Sequence, residues 1–286
     1  MKPPRFKYVA PETVDDVVSL LADHADEAKV LAGGQSLIPL MNLRLARPET
    51  LVDINRVPAL AGVTANGSLT IGATTRQAAV ARSPEVRAAA PMVAEALRFV
   101  GHPGTRARGT FGGIAAHADP ASEIPAVLLA LDAEVTAIGP AGSRTIAAAD
   151  LFVTTFTTSL LETELLTSVR LPVPTPGTRW GFQQVARRHG DFALVGVAAV
   201  AHVDESGRCT RARIVLSGVA DVPVSAAEAQ EHLVGGDLEQ GAEEAGRLAA
   251  AALQPPDDFH ATSSYRKRVA QTLVARAVRQ MAEEAA

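Results

Sequence analysis

Cysteine is almost missing from this chain: Cys209 is the only one in 286 residues. One thiol cannot close an internal disulfide or supply the four thiolates of a usual iron–sulfur cluster. Any such cluster working with this chain must sit on another polypeptide. Cys209 itself falls in an apparent strand, Cys209 to Gly218, and a small core or surface role is expected of it. Aromatic residues are scarce at 4%, and the net charge is −4. Without stacking platforms or a basic field, nucleic acid is not the expected partner. No apolar run is long enough to span a bilayer. Met1 to Phe6 lacks the apolar core of a signal peptide. The cytoplasm is the expected compartment, and attachment to the inner face of a membrane through a partner is compatible with it. The seven histidines form no H-E-x-x-H, and there is no C-x-x-C and no G-x-S-x-G, so no metal site or nucleophile elbow has usable spacing. No two glycines stand two apart, which excludes G-x-G-x-x-G.

What the chain does have is two paired-glycine stretches. In the first, an apolar run ending at Leu31 meets Ala32-Gly33-Gly34-Gln35-Ser36, and an apolar helix-prone segment, Leu37 to Leu45, follows. Strand, glycine turn and helix start can form a nest of N–H groups for a phosphate. An ordinary strand-to-helix turn would look the same. The second stretch is Gly109-Thr110-Phe111-Gly112-Gly113-Ile114, leading into His117-Ala118-Asp119-Pro120-Ala121-Ser122-Glu123. Two such turns could hold two parts of one long, diphosphate-linked ligand. Ser36 superficially suits a nucleophile, but no base is identifiable. His117 and Asp119 read as a structured turn rather than an acid–base pair. Arg44, Arg47, Arg106 and Arg108 could meet phosphates or simply be solvated.

Along the chain, Pro4 to Ala10 reads as an entry strand, and Thr13 as the N-cap of a helix. Ala28 to Leu31 and Leu51 to Asn55 read as further strands of a small α/β lobe. Leu60 to Gly62 and Ser68 to Gly72 form a hairpin across Asn66-Gly67. Thr75 caps a helix to Arg82, and Pro84 to Val100 is one helix. A glycine-rich loop follows over 101–113, then a helix from Ala121 to Leu131. Strands over Glu134 to Gly139, Arg144 to Ala147 and Leu165 to Pro172 complete a second lobe with a mixed sheet. Pro172, Pro174, Pro176 and Gly177 mark a domain boundary near 175. Trp180 to Arg187, Ala193 to Val203 and Cys209 to Gly218 read as antiparallel strands, although Leu194 to Ala201 would suit a helix equally. Ser225 and Glu228 make a capping box for a helix to Leu233. Two more helices, Glu239 to Leu253 and Ser264 to Ala285, close the chain.

The segments AGGQSLIPLMNLRLARPETLVDINRV and TRARGTFGGIAAHADPASEIPAVLLAL resemble the FAD-binding (medium) subunit of the molybdenum hydroxylases, typified by carbon monoxide dehydrogenase and its aldehyde, nicotine and purine dehydrogenase relatives. The resemblance runs nearly end to end and is weaker in the C-terminal part. It implies an α+β protein. A two-lobed FAD-binding domain of the vanillyl-alcohol oxidase and p-cresol methylhydroxylase type would cover 1–175, with lobes of about 1–56 and 57–175. A C-terminal antiparallel sheet with a helical bundle would cover 176–286. It further implies FAD on this chain, iron–sulfur clusters on a small partner, and a molybdenum cofactor on a large one, in a dimer of heterotrimers. Ala32, Gly33, Gly34, Gln35 and Ser36 would hold the FAD pyrophosphate. Thr110, Phe111, Gly112, Gly113 and Ile114 would lie by the diphosphate and ribityl part, with Ile114 where many relatives are polar. Glu123 would reach an adenosine ribose hydroxyl, where Asp is commoner. Leu161, Leu165 and Leu166 match positions near adenine and flavin, and a plain core role suits them equally. Gln184 stands where some relatives have a flavin-contacting Lys. Phe192 would cover the isoalloxazine. Gln35, unlike histidine, cannot form a covalent flavin link, so dissociable FAD is expected.

The resulting expectation is an electron-transferring flavoprotein subunit with no catalytic acid or base of its own. Its rivals are a self-contained flavin oxidase of the same fold, for which His189 is the nearest acid–base candidate, and a non-enzymatic module that binds another nucleotide.

Overall fold

A computed structural model describes residues 2–283. The first lobe comprises β1 (Lys7–Val9), α1 (Val14–His24), β2 (Ala28–Leu31), α2 (Leu37–Asn42) and β3 (Thr50–Asp53). Its three strands are parallel in the order β1-β3-β2. Thr13 caps α1 by accepting from the Asp16 amide at 3.1 Å. The apolar face of α1 then buries Val17 and Leu21 against Ala28, Val52 and Ile54. The entry strand is shorter than expected. So is α2, because Arg44 takes φ 60° and turns the chain out of the helix.

The second lobe begins with the hairpin of β4 (Val63–Ala65) and β5 (Ser68–Gly72). Leu60, expected in that hairpin, lies instead in a short 3-10 turn, Pro58–Leu60. Five helices follow: α3 (Gln77–Val80), α4 (Pro84–Ala89), α5 (Pro91–Ala96), α6 (Pro103–Arg108) and α7 (Phe111–His117). Then come α8 (Glu123–Ala130), β6 (Glu134–Gly139), β7 (Gly142–Ala147), α9 (Ala148–Leu151), the small pair β8 (Phe152–Thr154) and β9 (Thr157–Thr158), and β10 (Leu165–Pro172).

Several expectations need correction here. Thr75 caps nothing: its hydroxyl exchanges two 2.9 Å hydrogen bonds with the backbone of Gly62. The single helix expected over 84–100 is two, because Pro91 has no N–H to continue the ladder and holds Ala90 at φ −146°. The stretch 101–113 is not a loop throughout but carries α6 and the first turn of α7. The sheet, of order β4-β5-β10-β6-β7, is not mixed: every pairing is antiparallel, since β10 runs opposite to both neighbours.

Residues 173–177 lead to β11 (Thr178–Val185), β12 (Val195–Val203), β13 (Cys209–Ser217) and the short β14 (Val224–Ser225), an antiparallel sheet in that order. Helices α10 (Ala227–Leu233), α11 (Leu238–Ala252) and α12 (Ser263–Glu283) cover one face. The last residues of the helix expected to Ala285 lie outside the described residues. The other face turns Phe182, Ala198 and Val215 into the core of the second lobe. With both faces covered, β12 reads as a continuous apolar run, which is why its periodicity did not separate strand from helix. Ser225 lies in β14 and its hydroxyl bonds Gln230 Oε1 at 2.9 Å, so the expected capping box is not formed.

Candidate functional site

Where β2 ends, the chain leaves the sheet through Ala32-Gly33-Gly34-Gln35-Ser36. Gly34 takes φ +70°, a region that a Cβ disfavours. The Gln35 amide group folds back, Nε2 donating to the Gly33 carbonyl at 3.0 Å. Ser36 precedes α2, but its hydroxyl caps nothing. Among the described residues the backbone N–H groups of Gly34, Gln35 and Ser36 find no carbonyl partner. Unused donors in consecutive residues are what a phosphate nest requires.

The second stretch is built differently. Phe111 N–H donates to Thr75 O and Gly112 N–H to Ala73 O, both at 2.9 Å. Gly113 N–H donates to the Thr110 hydroxyl at 3.1 Å, and Ile114 N–H to Thr110 O at 3.2 Å. Its donors are therefore engaged inside the protein. Its glycines serve close approach instead: a Cβ on Gly112 would lie 2.6 Å from the Ala73 Cβ and 2.7 Å from its Cα.

The two stretches pack on each other. A Cβ on Gly33 would lie 2.6 Å from the Arg108 carbonyl oxygen and 2.7 Å from the Gly109 Cα. Arg76 fastens this contact. Its Nη1 donates to the Arg108 carbonyl at 2.5 Å, and its Nη2 to Asn55 Oδ1 at 2.7 Å. Asn55 Nδ2 in turn donates to the Ala32 carbonyl at 2.7 Å. Sequence reasoning missed both residues. Asn55 had a signal, a polar residue just past the end of β3; Arg76 had none.

Beside this junction lies a cleft of about 430 Å³. Ala32, Gly112, Gly113, Leu161, Leu165 and Leu166 line it together. Leu165 and Leu166 are buried, whereas Leu161 is exposed at the rim. Phe111 is wholly buried in the core, and Ile114 is half-buried against that core. Phe156 also lines the cleft and stacks on His117 with ring centroids 5.0 Å apart.

Glu123 and Gln184 do not line that cleft and meet each other, Gln184 Nε2 donating to Glu123 Oε1 at 3.0 Å. Glu123 is 3% exposed, and burial pushes its carboxyl up to about 7 against the lowering effect of the Gln184 bond. The Gln184 amide oxygen is buried without a partner. Burial likewise raises the Asp119 carboxyl and lowers the His117 imidazole. Asp119 accepts from the Ala121 amide at 2.8 Å, and Ala118 takes φ 51°, so 117–121 is a structured turn, as expected. Phe192 is 59% exposed on the loop between β11 and β12. Nη1 of Arg106 donates to the carbonyls of Val100 and Gly101. Among the described residues no cluster of His, Cys, Asp and Glu could hold a metal ion.

The model for the FAD binding domain in molybdopterin dehydrogenase matches residues 4–174, and that for the CO dehydrogenase flavoprotein C-terminal domain matches 180–281. The chain belongs to the FAD-binding medium-subunit family of the molybdenum hydroxylases. It is 42% identical over 278 residues to subunit alpha of the 6-hydroxypseudooxynicotine dehydrogenase complex of Paenarthrobacter nicotinovorans, covering 96% of this chain and 94% of that one. It is 38% identical to the carbon monoxide dehydrogenase medium chain of Hydrogenophaga pseudoflava, with 97% of each covered. A solved carbon monoxide dehydrogenase from Hydrogenophaga pseudoflava, lacking the Mo-pyranopterin moiety, matches with a TM-score of 0.96 at 37% identity over the full length of both chains. This medium subunit is thus an FAD-binding oxidoreductase component of a multi-subunit complex. The donor set suits FAD: unused amides in the first loop for a diphosphate, and an apolar cleft beside them for a ring system.

Proposed function

We propose that this subunit receives electrons from iron–sulfur clusters on a small partner chain, fed by a large molybdenum-bearing chain, and delivers them through bound FAD to an external acceptor. Bound FAD supplies the redox chemistry; the protein positions it and sets its surroundings. The observation that carries this reading is the set of unpartnered first-loop amides, clamped by Asn55 and Arg76 against the second glycine stretch beside an apolar cleft. In this reading Gly34, Gln35 and Ser36 hold the diphosphate. Ala32, Gly33 and Thr110 to Ile114 shape the floor, and Leu161, Leu165 and Leu166 give the apolar wall. Glu123 and Gln184 act as a linked pair at the junction with the C-terminal sheet, and exposed Phe192 covers the ring. The assembly is a dimer of heterotrimers in the cytoplasm, with any membrane association made through a partner. Among the described residues no helix is long and apolar enough to cross a membrane.

The test is the purified protein itself. It should carry a flavin spectrum, release all flavin on acid precipitation, and copurify with a small iron–sulfur chain and a large molybdenum chain. Flavin that stays on the denatured chain would contradict the dissociable cofactor expected from Gln35. The lone thiol offers no attachment point, because Cys209 is buried in the C-terminal core. A flavin-bearing protein that oxidises a substrate alone would point to a self-contained oxidase. His189, the acid–base candidate for that case, is exposed and makes no hydrogen bond among the described residues.

A further inference from the structure

One wall of the cleft beside the glycine loops comes from a connection rather than from a strand or helix. Residues 159–164 join β9 to β10 and give Leu160, Leu161, Glu162 and Glu164 to the lining. The backbone holds this stretch at two points: Ser159 N–H donates to the Leu151 carbonyl, and Glu164 N–H to the Leu161 carbonyl, both at 2.9 Å. The rest of the hold comes from one ion pair. Arg144, on the edge strand β7, grips Glu164 with two bonds, Nε to Oε1 at 2.6 Å and Nη2 to Oε2 at 2.8 Å. The same Nη2 donates to the Ser159 carbonyl at 2.8 Å, and Glu164 Oε2 accepts from the Leu161 N–H at 2.8 Å. Ser159, Leu161 and Glu164 thus converge on one guanidinium–carboxylate fork. Strand β6 lies between β7 and β10, and Gly139 on it makes room: a Cβ there would lie 2.9 Å from Glu164 Cγ. The Glu164 side chain is 8% exposed. Its hydrogen bond with Arg144 holds the carboxyl below the ordinary value, so the fork is charged at neutral pH. Among the described residues no other ion pair has a member in the cleft lining.

We propose that Arg144 and Glu164 are positioning residues for FAD, a latch that fixes Leu161 and its neighbours as the apolar wall of the cofactor cleft. The inference rests on the functional reading above and deepens it. Arg144 does not line the cleft, so it acts through Glu164, Ser159 and Leu161. A two-bonded guanidinium–carboxylate fork fixes orientation as well as distance, which apolar contact alone does not. A wall ordered before the ligand arrives spares the cofactor the entropy of ordering it. Without the guanidinium, Glu164 would be a mostly buried carboxylate with no charged partner. That state is costly, and the connection relieves it by opening until water reaches the carboxylate. Opening carries Leu161 away from the place where the cofactor needs it.

The test compares full-length wild type with Arg144→Met, which keeps an unbranched side chain but no charge, and with Arg144→Lys. Arg170→Met serves as the control, because Arg170 pairs with Glu134 on the same sheet and neither lines the cleft. Each deflavinated protein is titrated with FAD by fluorescence, well below its melting temperature. Amide hydrogen exchange over 159–164 is followed in the same apo-proteins. Arg144→Met should raise the FAD dissociation constant by about fivefold or more, the equivalent of roughly one net hydrogen bond. Its Leu161 amide should exchange faster than in wild type. Arg144→Lys, with one ammonium in place of a fork, should lie between the two on both measures. The control should match wild type on both. A purely structural role predicts a lower apo-protein melting temperature with FAD affinity unchanged, and that result overturns the proposal. So does a loss of affinity with Leu161 exchange unchanged, or an equal loss in the control. If Arg144→Met fails to fold, Arg144→Lys decides, and affinity and exchange both equal to wild type overturn the latch. A wild-type chain that binds no FAD would instead overturn the functional reading, whatever the variants do.

Discussion

Gly33 shows how a residue can matter for a reason other than the one its motif suggests. Its missing side chain makes room for the Arg108 carbonyl and the Gly109 Cα, so the constraint comes from the protein before any ligand arrives. Gly33→Ala should therefore weaken FAD binding and also destabilise the apo-protein, by about 1–3 kcal/mol for an overpacked contact. FAD titration paired with apo-protein melting checks this, and a variant that loses only FAD would return the constraint to the ligand. Phe192 is the opposite case. At 59% exposed it has no core role to lose. Phe192→Ala should leave apo-protein melting unchanged and reduce FAD affinity by about 0.5–1.5 kcal/mol, the worth of an aromatic stack beyond burial. Glu123 carries a pH signature. Its carboxyl is raised by burial to about 7, so the folded state holds a proton that the unfolded state releases above its ordinary value of 4.5. Stability from this group is thus full below that ordinary value and falls as pH rises through the folded value, by on the order of 3 kcal/mol in total. Between pH 5 and pH 8, wild-type apo-protein should lose more stability in denaturant melts than Glu123→Gln. Parallel losses would show that the carboxyl does not titrate in this window.

At the scale of elements, the site is a junction of two strand-to-helix connections. The connection from β2 to α2 offers its donors outward, while that from α6 to α7 spends its donors on Thr75, Ala73 and Thr110. Arg76 and Asn55 hold the two together with three hydrogen bonds. Arg76→Met keeps much of the side-chain volume but removes the bridge. It should cost about 1–3 kcal/mol of stability, since the carbonyl and amide oxygens it served lose a charged donor. It should also raise the FAD dissociation constant severalfold, which fluorescence titration would read. Affinity equal to wild type would mean that the loops are positioned by packing alone.

The whole molecule does not divide as cleanly as its chain suggests. The proline-rich connection over 173–177 reads as a boundary, yet Phe182, Ala198 and Val215 of the C-terminal sheet complete the core around Phe111, Ile124 and Leu128. Phe99 and Phe182 meet across this boundary with centroids 5.4 Å apart. Arg266 on α12 is almost fully buried and donates to the carbonyls of Leu194 and Gly218, bracing the far side of the same sheet. A fragment ending at 175 should consequently expose part of its core, bind the hydrophobic dye ANS and unfold without a sharp transition. A sharp melt from that fragment would show that the first two lobes fold independently.

By itself the sequence determined the local elements and the kind of ligand. Thr13 marked a helix start, Asn66-Gly67 a hairpin, and Gly33-Gly34 a turn that no bulky residue could make; each depends on neighbours a few positions away, and all three are present. Pro91 splits the helix expected over 84–100, because it has no N–H to continue the ladder. Tertiary structure alone decided the rest. Whether the amides at 111–114 are free depends on Ala73 and Thr75, nearly forty residues earlier. Whether Glu123 meets solvent or Gln184 depends on how β11 lies against α8. Whether β12 is a strand depends on the covering of both its faces. In each case the deciding contact is remote in the chain, and burial, not propensity, sets the outcome.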